Sequence, residues 1–152
     1  MLAGKQMLDQ PATPDETSDR LRVAIARLAR RLRSTASAGS LTPTQVSVLF
    51  TVVRQGPLAL SELGELESLH PTMLSRVVGA LADAGLLVRS ADSADRRAVQ
   101  VSASAAGRRL RSRIHAERTA ALGSALAQLE PGTREAVTAA LAGLEELAEL
   151  LR

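Results

Sequence analysis

Apolar residues recur at Leu21, Ile25, Leu28 and Leu32, spacings of three and four that draw one stripe along a helix opening at Thr17 or Ser18, either of which can cap it. Arg22, Arg27, Arg30, Arg31 and Arg33 occupy its other faces. The preceding residues 1–16 hold Gly4, Pro11 and Pro14 among polar neighbours and show no apolar period, which predicts a mobile arm. Small residues and Gly39 in the stretch 37–40 break the first helical pattern. Thr42 then caps a second helix with Pro43 at its first position, where a missing N–H costs nothing, and Val46, Leu49, Phe50 and Val53 form its expected inner face. Gly56 and Pro57 end it.

A short extended piece over residues 58–60 leads to Ser61, the expected cap of a helix with apolar positions at Leu63, Leu66 and Leu69. His70-Pro71-Thr72 opens another helix at once, with Leu74, Val77, Val78 and Leu81 facing inward and Ala84-Gly85 closing it. The period then changes from helical to extended. Residues 86–90 and 98–102 are two strand-like runs around the polar segment 91–97, which reads as a β-hairpin with a charged tip. Ser104 caps a long helix carrying Leu110, Ile114, Leu122, Leu126 and Leu129, interrupted by Glu130-Pro131-Gly132. One last helix places Val137, Leu141, Leu144, Leu147 or Ala148, and Leu151 on a seam suited to helix pairing.

Composition narrows this picture. The chain has 152 residues, enough for one domain with a real core or a small domain with helical extensions. Phe50 is the sole aromatic residue, so the core is built from Leu, Val and Ala, which favours packed helices over a β-sandwich. With no Cys, disulfides, thiolate metal sites and a thiol-based peroxide sensor are excluded. His70 and His115 are the only histidines and no carboxylates stand near them in a ligand spacing, so neither a metal nor another cofactor is expected. Glu145, Glu146 and Glu149 sit at helical spacing beside the Leu seam and read as a solvated flank rather than an acid-base pair, so enzyme activity is not expected. No apolar run of about 18 residues and no secretory h-region is present, which predicts a cytoplasmic protein without a membrane partner. The net charge is +3, and every cation but Lys5 and the histidines is an Arg, the side chain suited to forked phosphate and guanine contacts.

Two short helices joined by a tight turn and followed by a hairpin make a winged helix-turn-helix in a mainly α chain with a small β-hairpin wing. The second helix of such a pair enters the major groove of DNA. With Leu74, Val77, Val78 and Leu81 turned inward, Thr72, Met73, Ser75, Arg76 and Gly79 are left outside, most of them near the helix N-terminus. There the N–H groups and dipole favour phosphate, the hydroxyls can bond phosphate or base, and Arg76 can fork onto guanine O6 and N7. In the hairpin tip, Arg96 and Arg97 on a narrow projection suit a minor groove, with Asp95 able to orient a neighbouring Arg. The run Arg108, Arg109, Arg111 and Arg113 is either a solvated face or a set of partners for phosphates or carboxylates.

At these positions the sequence resembles the MarR family, the multiple antibiotic resistance regulators. The matches come in order: Leu41-Thr42-Pro43-Thr44-Gln45-Val46-Ser47-Val48-Leu49, then Gly56-Pro57-Leu58 with Ser61-Glu62-Leu63, then Pro71-Thr72-Met73-Leu74-Ser75-Arg76-Val77-Val78 with Leu81 and Ala84-Gly85-Leu86-Leu87. Asp92-Ser93-Ala94-Asp95-Arg96-Arg97-Ala98-Val99 is similar to the family's wing, and Val101-Ser102-Ala103-Ser104-Ala105-Ala106-Gly107 to its exit into a long helix. The sequence departs from the pattern at His70, where Ser or Thr is common, and at Gly79 and Ala80, where charged residues are usual.

The resemblance implies a triangular homodimer whose N- and C-terminal helices pair while two winged lobes grip successive major grooves of double-stranded DNA. It also implies contacts from Thr72, Ser75 and Arg76 on the recognition helix and from Asp95 and Arg97 in the wing, with Met73 and Arg96 beside them. The expected plan is an arm over 1–16, an N-terminal dimerisation helix over 17–40, the winged helix-turn-helix over 41–103 and C-terminal dimerisation helices over 104–152. By family analogy the function is a sequence-specific repressor at a palindromic operator, open to release by a small-molecule effector. With a single Phe, such a ligand would rest on Leu, Val and Arg contacts. Because a fold does not fix a function, a winged-helix module binding a protein partner stands as the alternative.

Overall fold

The computed structural model describes residues 13–35, 39–91 and 99–151. They fall into two compact units, divided between Ser34 and Thr35. The first is helix α1, Pro14–Thr35. It opens earlier than its apolar stripe suggests, because Thr13 rather than Thr17 or Ser18 is the cap: Oγ1 of Thr13 accepts the N–H of Glu16. Pro14 then stands at the first helical position and Asp15 and Glu16 in the first turn, where the dipole favours them. Residues 1–12 of the expected arm lie outside the described residues.

The second unit runs α2 (Pro43–Gln55), β1 (Leu58–Ala59), α3 (Leu60–Glu67), α4 (Pro71–Asp83), β2 (Leu87–Ala91), β3 (Val99–Ala103), α5 (Ala105–Ala127), α6 (Pro131–Ala139) and α7 (Leu141–Leu150). Thr42 begins it with a reciprocal cap, its hydroxyl accepting from the N–H of Gln45 while Oε1 of Gln45 accepts from the Thr42 N–H. Helix α2 is wrapped more fully than a single stripe predicts: Val46, Val48, Leu49, Thr51 and Val52 are all buried, whereas Phe50 and Val53 are only half-buried. A helix apolar on most sides belongs in the middle of a core. Around it Leu63, Leu74, Val77, Val78, Leu81, Leu87 and Val101 close one aliphatic cluster. The polar exception, Thr51, gives its hydroxyl proton to Oε1 of Glu67 at 2.5 Å, which ties the end of α3 to the middle of α2.

The extended piece before α3 is short because the helix starts at Leu60, one residue before the expected cap Ser61; Glu62 reaches back to accept the N–H of Ala59. Of the three positions expected on its inner face, Leu63 is fully buried, Leu66 stands half exposed, and Leu69 lies beyond the helix. The chain turns at Ser68, whose φ of 51° is left-handed, and Leu69 packs against the core from that turn. Antiparallel strands join in the order β1-β3-β2, with Leu58 opposite Val101 and Leu87 opposite Ala103. The hairpin therefore gains a third strand from the piece before α3, and each of its own strands sits one residue later than expected.

Helix α5 begins where its cap predicts, Oγ of Ser104 accepting from the N–H of Gly107. Its start is pressed against the α4–β2 turn by the Ser104 hydroxyl on the Gly85 carbonyl at 2.6 Å and the Ser104 N–H on the Leu86 carbonyl at 3.1 Å. Full burial on α5 stops at Ile114. The single C-terminal helix expected after Pro131 is two, α6 and α7, parted at Ala140, and neither has a buried residue. Val137, Leu141 and Leu144 of the predicted seam are exposed in the single chain. No helix of the described residues is long and apolar enough to cross a membrane.

Candidate nucleic-acid interface

Helix α4 is held in place from three directions. At its start Nδ1 of His70 accepts the N–H of Thr72 at 3.4 Å, so the imidazole does the capping work of a Ser or Thr. Along its inner face Leu74, Val77, Val78 and Leu81 are buried as the apolar spacing predicts. At its end Gly85 takes a φ of 70°, which a side chain would resist, and the Leu86 N–H returns to the Leu81 carbonyl.

With that face committed to the core, Thr72, Met73, Ser75 and Arg76 are exposed on the opposite side. Met73 and Arg76 border an open depression of about 620 Å³ whose other wall is the first turn of α2, with Thr42, Thr44 and Gln45; Asp83 closes its far end. Both ion pairs found among the described residues lie elsewhere, Arg22 with Asp19 and Arg113 with Glu117. Arg76 thus presents its full charge outward beside a helix N-terminus, an arrangement suited to polyanion contact. The structure brings together four of the seven residues expected to meet DNA. The other three, Asp95, Arg96 and Arg97, lie outside the described residues.

One basic residue near this surface escapes a reading by period alone. Arg89 of β2 donates from Nη2 to the Ser75 carbonyl at 3.0 Å, reaching from the root of the wing onto the recognition helix. The only sequence signal is its parity with Leu87: two residues apart on a strand, both side chains leave the same face.

The arginine run on α5 divides by position. Arg108 donates to the Ala103 carbonyl at 2.6 Å and Arg113 pairs with Glu117 at 3.8 Å. Arg111 and, a further two turns along, Arg118 lie over the Phe50 ring, their guanidinium carbons 5.2 and 5.6 Å from its centroid. The Nε atoms of both are buried without a hydrogen-bond partner among the described residues. No group of three or more His, Cys, Asp or Glu side chains among the described residues could hold a metal ion.

A helix-turn-helix that buries one face of its second helix and bares the other, continued by an antiparallel wing, defines a winged-helix protein of the DNA-binding class. The MarR family profile matches residues 41–99. An uncharacterized HTH-type transcriptional regulator of Mycobacterium bovis is 31% identical over 134 residues, covering 88% of this chain and 92% of its own. A crystal structure from Pseudomonas aeruginosa PA01 superposes with a TM-score of 0.80 at 33% identity, over 91% of this chain and 98% of that one. The fold is shared, at a TM-score of 0.66 and 16% identity over 90% and 98% of the two chains, with a mutant of S. aureus MepR bound to an oligodeoxyribonucleotide. The chain belongs to the MarR family of helix-turn-helix transcriptional regulators, DNA-binding proteins rather than enzymes.

Proposed function

We propose that this protein is a cytoplasmic, homodimeric repressor that reads a palindromic operator, with Thr72, Met73, Ser75 and Arg76 of each subunit in a major groove and Asp95, Arg96 and Arg97 in the adjacent minor groove. The observation that carries this is the division of α4: four aliphatic residues spent on the core, and opposite them hydroxyls and an arginine that forms no ion pair among the described residues. Dimerisation through α1 and the helices from α5 onward is supported by the apolar residues each leaves uncovered, such as Ile25 and Leu28 on α1 and Leu141 and Leu144 on α7. Selection of bound fragments from a random duplex library tests the reading. A two-fold related site with half-sites about 10 bp apart is the expected product. Recovery of nothing above background would put the protein-partner module in its place.

Release by a small organic anion is supported by the side chains at Phe50. Arg111 and Arg118 hold positive charge against an apolar ring with buried Nε–H groups that no described residue satisfies, which a carboxylate would do. Aromatic carboxylates titrated into the protein–operator complex are expected to weaken it. A double Arg111→Met, Arg118→Met variant that responds as the wild type does would refute this assignment.

A further inference from the structure

The wing root carries an arginine on the core-facing side of its sheet. In the β2–β3 ladder Leu87 stands opposite Ala103 and Arg89 opposite Val101; Leu87 and Val101 are both buried, and paired or alternate residues share a face. Arg89 therefore leaves the sheet toward α4 just where the core ends. Its Nη2 bonds to the Ser75 carbonyl and would stand 3.9 Å from a Cβ placed on Gly79. Gly79 lies on the outward side of α4, one turn beyond Ser75 and Arg76, and is half-buried although its neighbour Ala80 is exposed. Where the recognition helix has no side chain of its own, a strand supplies one.

We propose that Arg89 is a DNA-contacting residue, gripping a phosphate of the backbone strand that separates the groove read by α4 from the groove entered by the wing. The inference rests on the reading that α4 occupies a major groove and the wing the adjacent minor groove. Adjacent grooves are divided by one sugar-phosphate strand, and a side chain at the junction of recognition helix and wing faces that strand. The Ser75 carbonyl uses one of five guanidinium donors and fixes the side chain across the helix, while the residue stays exposed and neither ion pair of the described residues involves it. A cation so anchored meets a phosphate with little further ordering.

The test measures affinity of the full chain for the selected operator between about 50 and 200 mM salt, for wild type, Arg89→Ala, Arg89→Lys and Arg76→Ala. Loss of one phosphate contact per subunit is expected to lower the salt slope by about 0.9 per subunit and to weaken matched and mismatched duplexes alike, with Arg89→Lys recovering most of the slope. Circular dichroism melting establishes that each variant is folded, and Arg89→Gln carries the same slope test if Arg89→Ala is not. An unchanged slope in Arg89→Ala beside a weakened Arg76→Ala would overturn this inference alone. So would a loss confined to one base position, or an Arg89→Lys variant as weak as alanine with the wild-type slope. Full affinity in both Arg76→Ala and Arg89→Ala would remove the groove assignment and this contact with it.

Discussion

Gly107→Ala tests how the long helix α5 is joined to the winged lobe. By helix propensity alone the change should stabilise, since Gly costs about 1 kcal/mol relative to Ala in a helix. The surroundings predict the opposite. A Cβ at Gly107 would lie 2.1 Å from the Leu86 carbonyl oxygen and 3.2 Å from Cδ1 of Leu49, against an ordinary contact of 3.4 Å or more. Relief needs a backbone shift of about 1 Å, and overpacking of this kind costs about 1–3 kcal/mol. The Leu86 carbonyl cannot retreat freely because it accepts the Ser104 N–H, a bond whose loss adds about 1 kcal/mol. Allowing for the gain in propensity, the net cost is about 1–3 kcal/mol, equivalent to a melting temperature lower by about 2–12 °C for a chain of this size. Gly79→Ala is the control. Its Cβ meets nothing closer than 3.9 Å, so it should raise stability by about 0.5–1 kcal/mol. Thermal melts followed by circular dichroism at one protein concentration decide the matter, and a Gly107→Ala variant that melts at or above the wild type would refute the packing argument.

Arg76→Ala is expected to cost about 1–3 kcal/mol of operator binding and to relax preference at one base position, read by titration against single-position operator variants. Arg97→Ala should weaken binding across sequences and lower the salt slope by about 1, and an unchanged slope would place Arg97 off the DNA. Thr51→Val keeps the volume but takes the hydroxyl from Glu67, which should cost about 1 kcal/mol in urea unfolding. Because that bond anchors α3 rather than α4, Thr51→Val should leave base preference as it is.

The inner face of α4 was legible because a single line of aliphatic residues at helical spacing meets one core, and four out of four expected positions are buried. Its caps were legible too: His70-Pro71 and Ala84-Gly85 each constrain the backbone locally. Helix α2 shows the limit of the same logic. A stripe was expected at Val46, Leu49, Phe50 and Val53, yet α2 lies among α3, α4, α5 and β3, so Val48, Thr51 and Val52 are buried as well and only a narrow exposed side with Thr44, Ser47 and Arg54 remains, too little to give a clean period. Phe50, the residue that composition makes most conspicuous, is drawn out of the aliphatic cluster to the two guanidinium groups of α5. The split of the last helix at Ala140 had no signal, since residues 133–142 hold neither Pro nor Gly and Ala140 itself keeps helical dihedrals.

The exposed face of α4 was legible because one helix supplies it, whereas the contact of Arg89 with that helix was not, because two elements make it. Thr72, Ser75 and Arg76 follow from subtracting the apolar face of α4 from the helix, an operation that needs no knowledge of anything outside it. Arg89 and Gly79 cannot be found that way, because their relation exists only across a ladder register and a helix–sheet contact. In a strand, Leu87 and Arg89 at alternate positions suggest a row that passes from core to solvent, and sequence alone does not say what lies at its end. Here the end of the row is the carbonyl of Ser75. Beside Gly79, which carries no side chain, the positive charge is delivered from β2, the Arg89 Nη2 standing 3.9 Å from where a Cβ would lie. Positive charge on this surface is thus divided between a helix, through Arg76, and a strand, through Arg89, and the salt-slope and base-preference measurements on the two variants separate the backbone-holding role proposed for the second from the base-reading role proposed for the first.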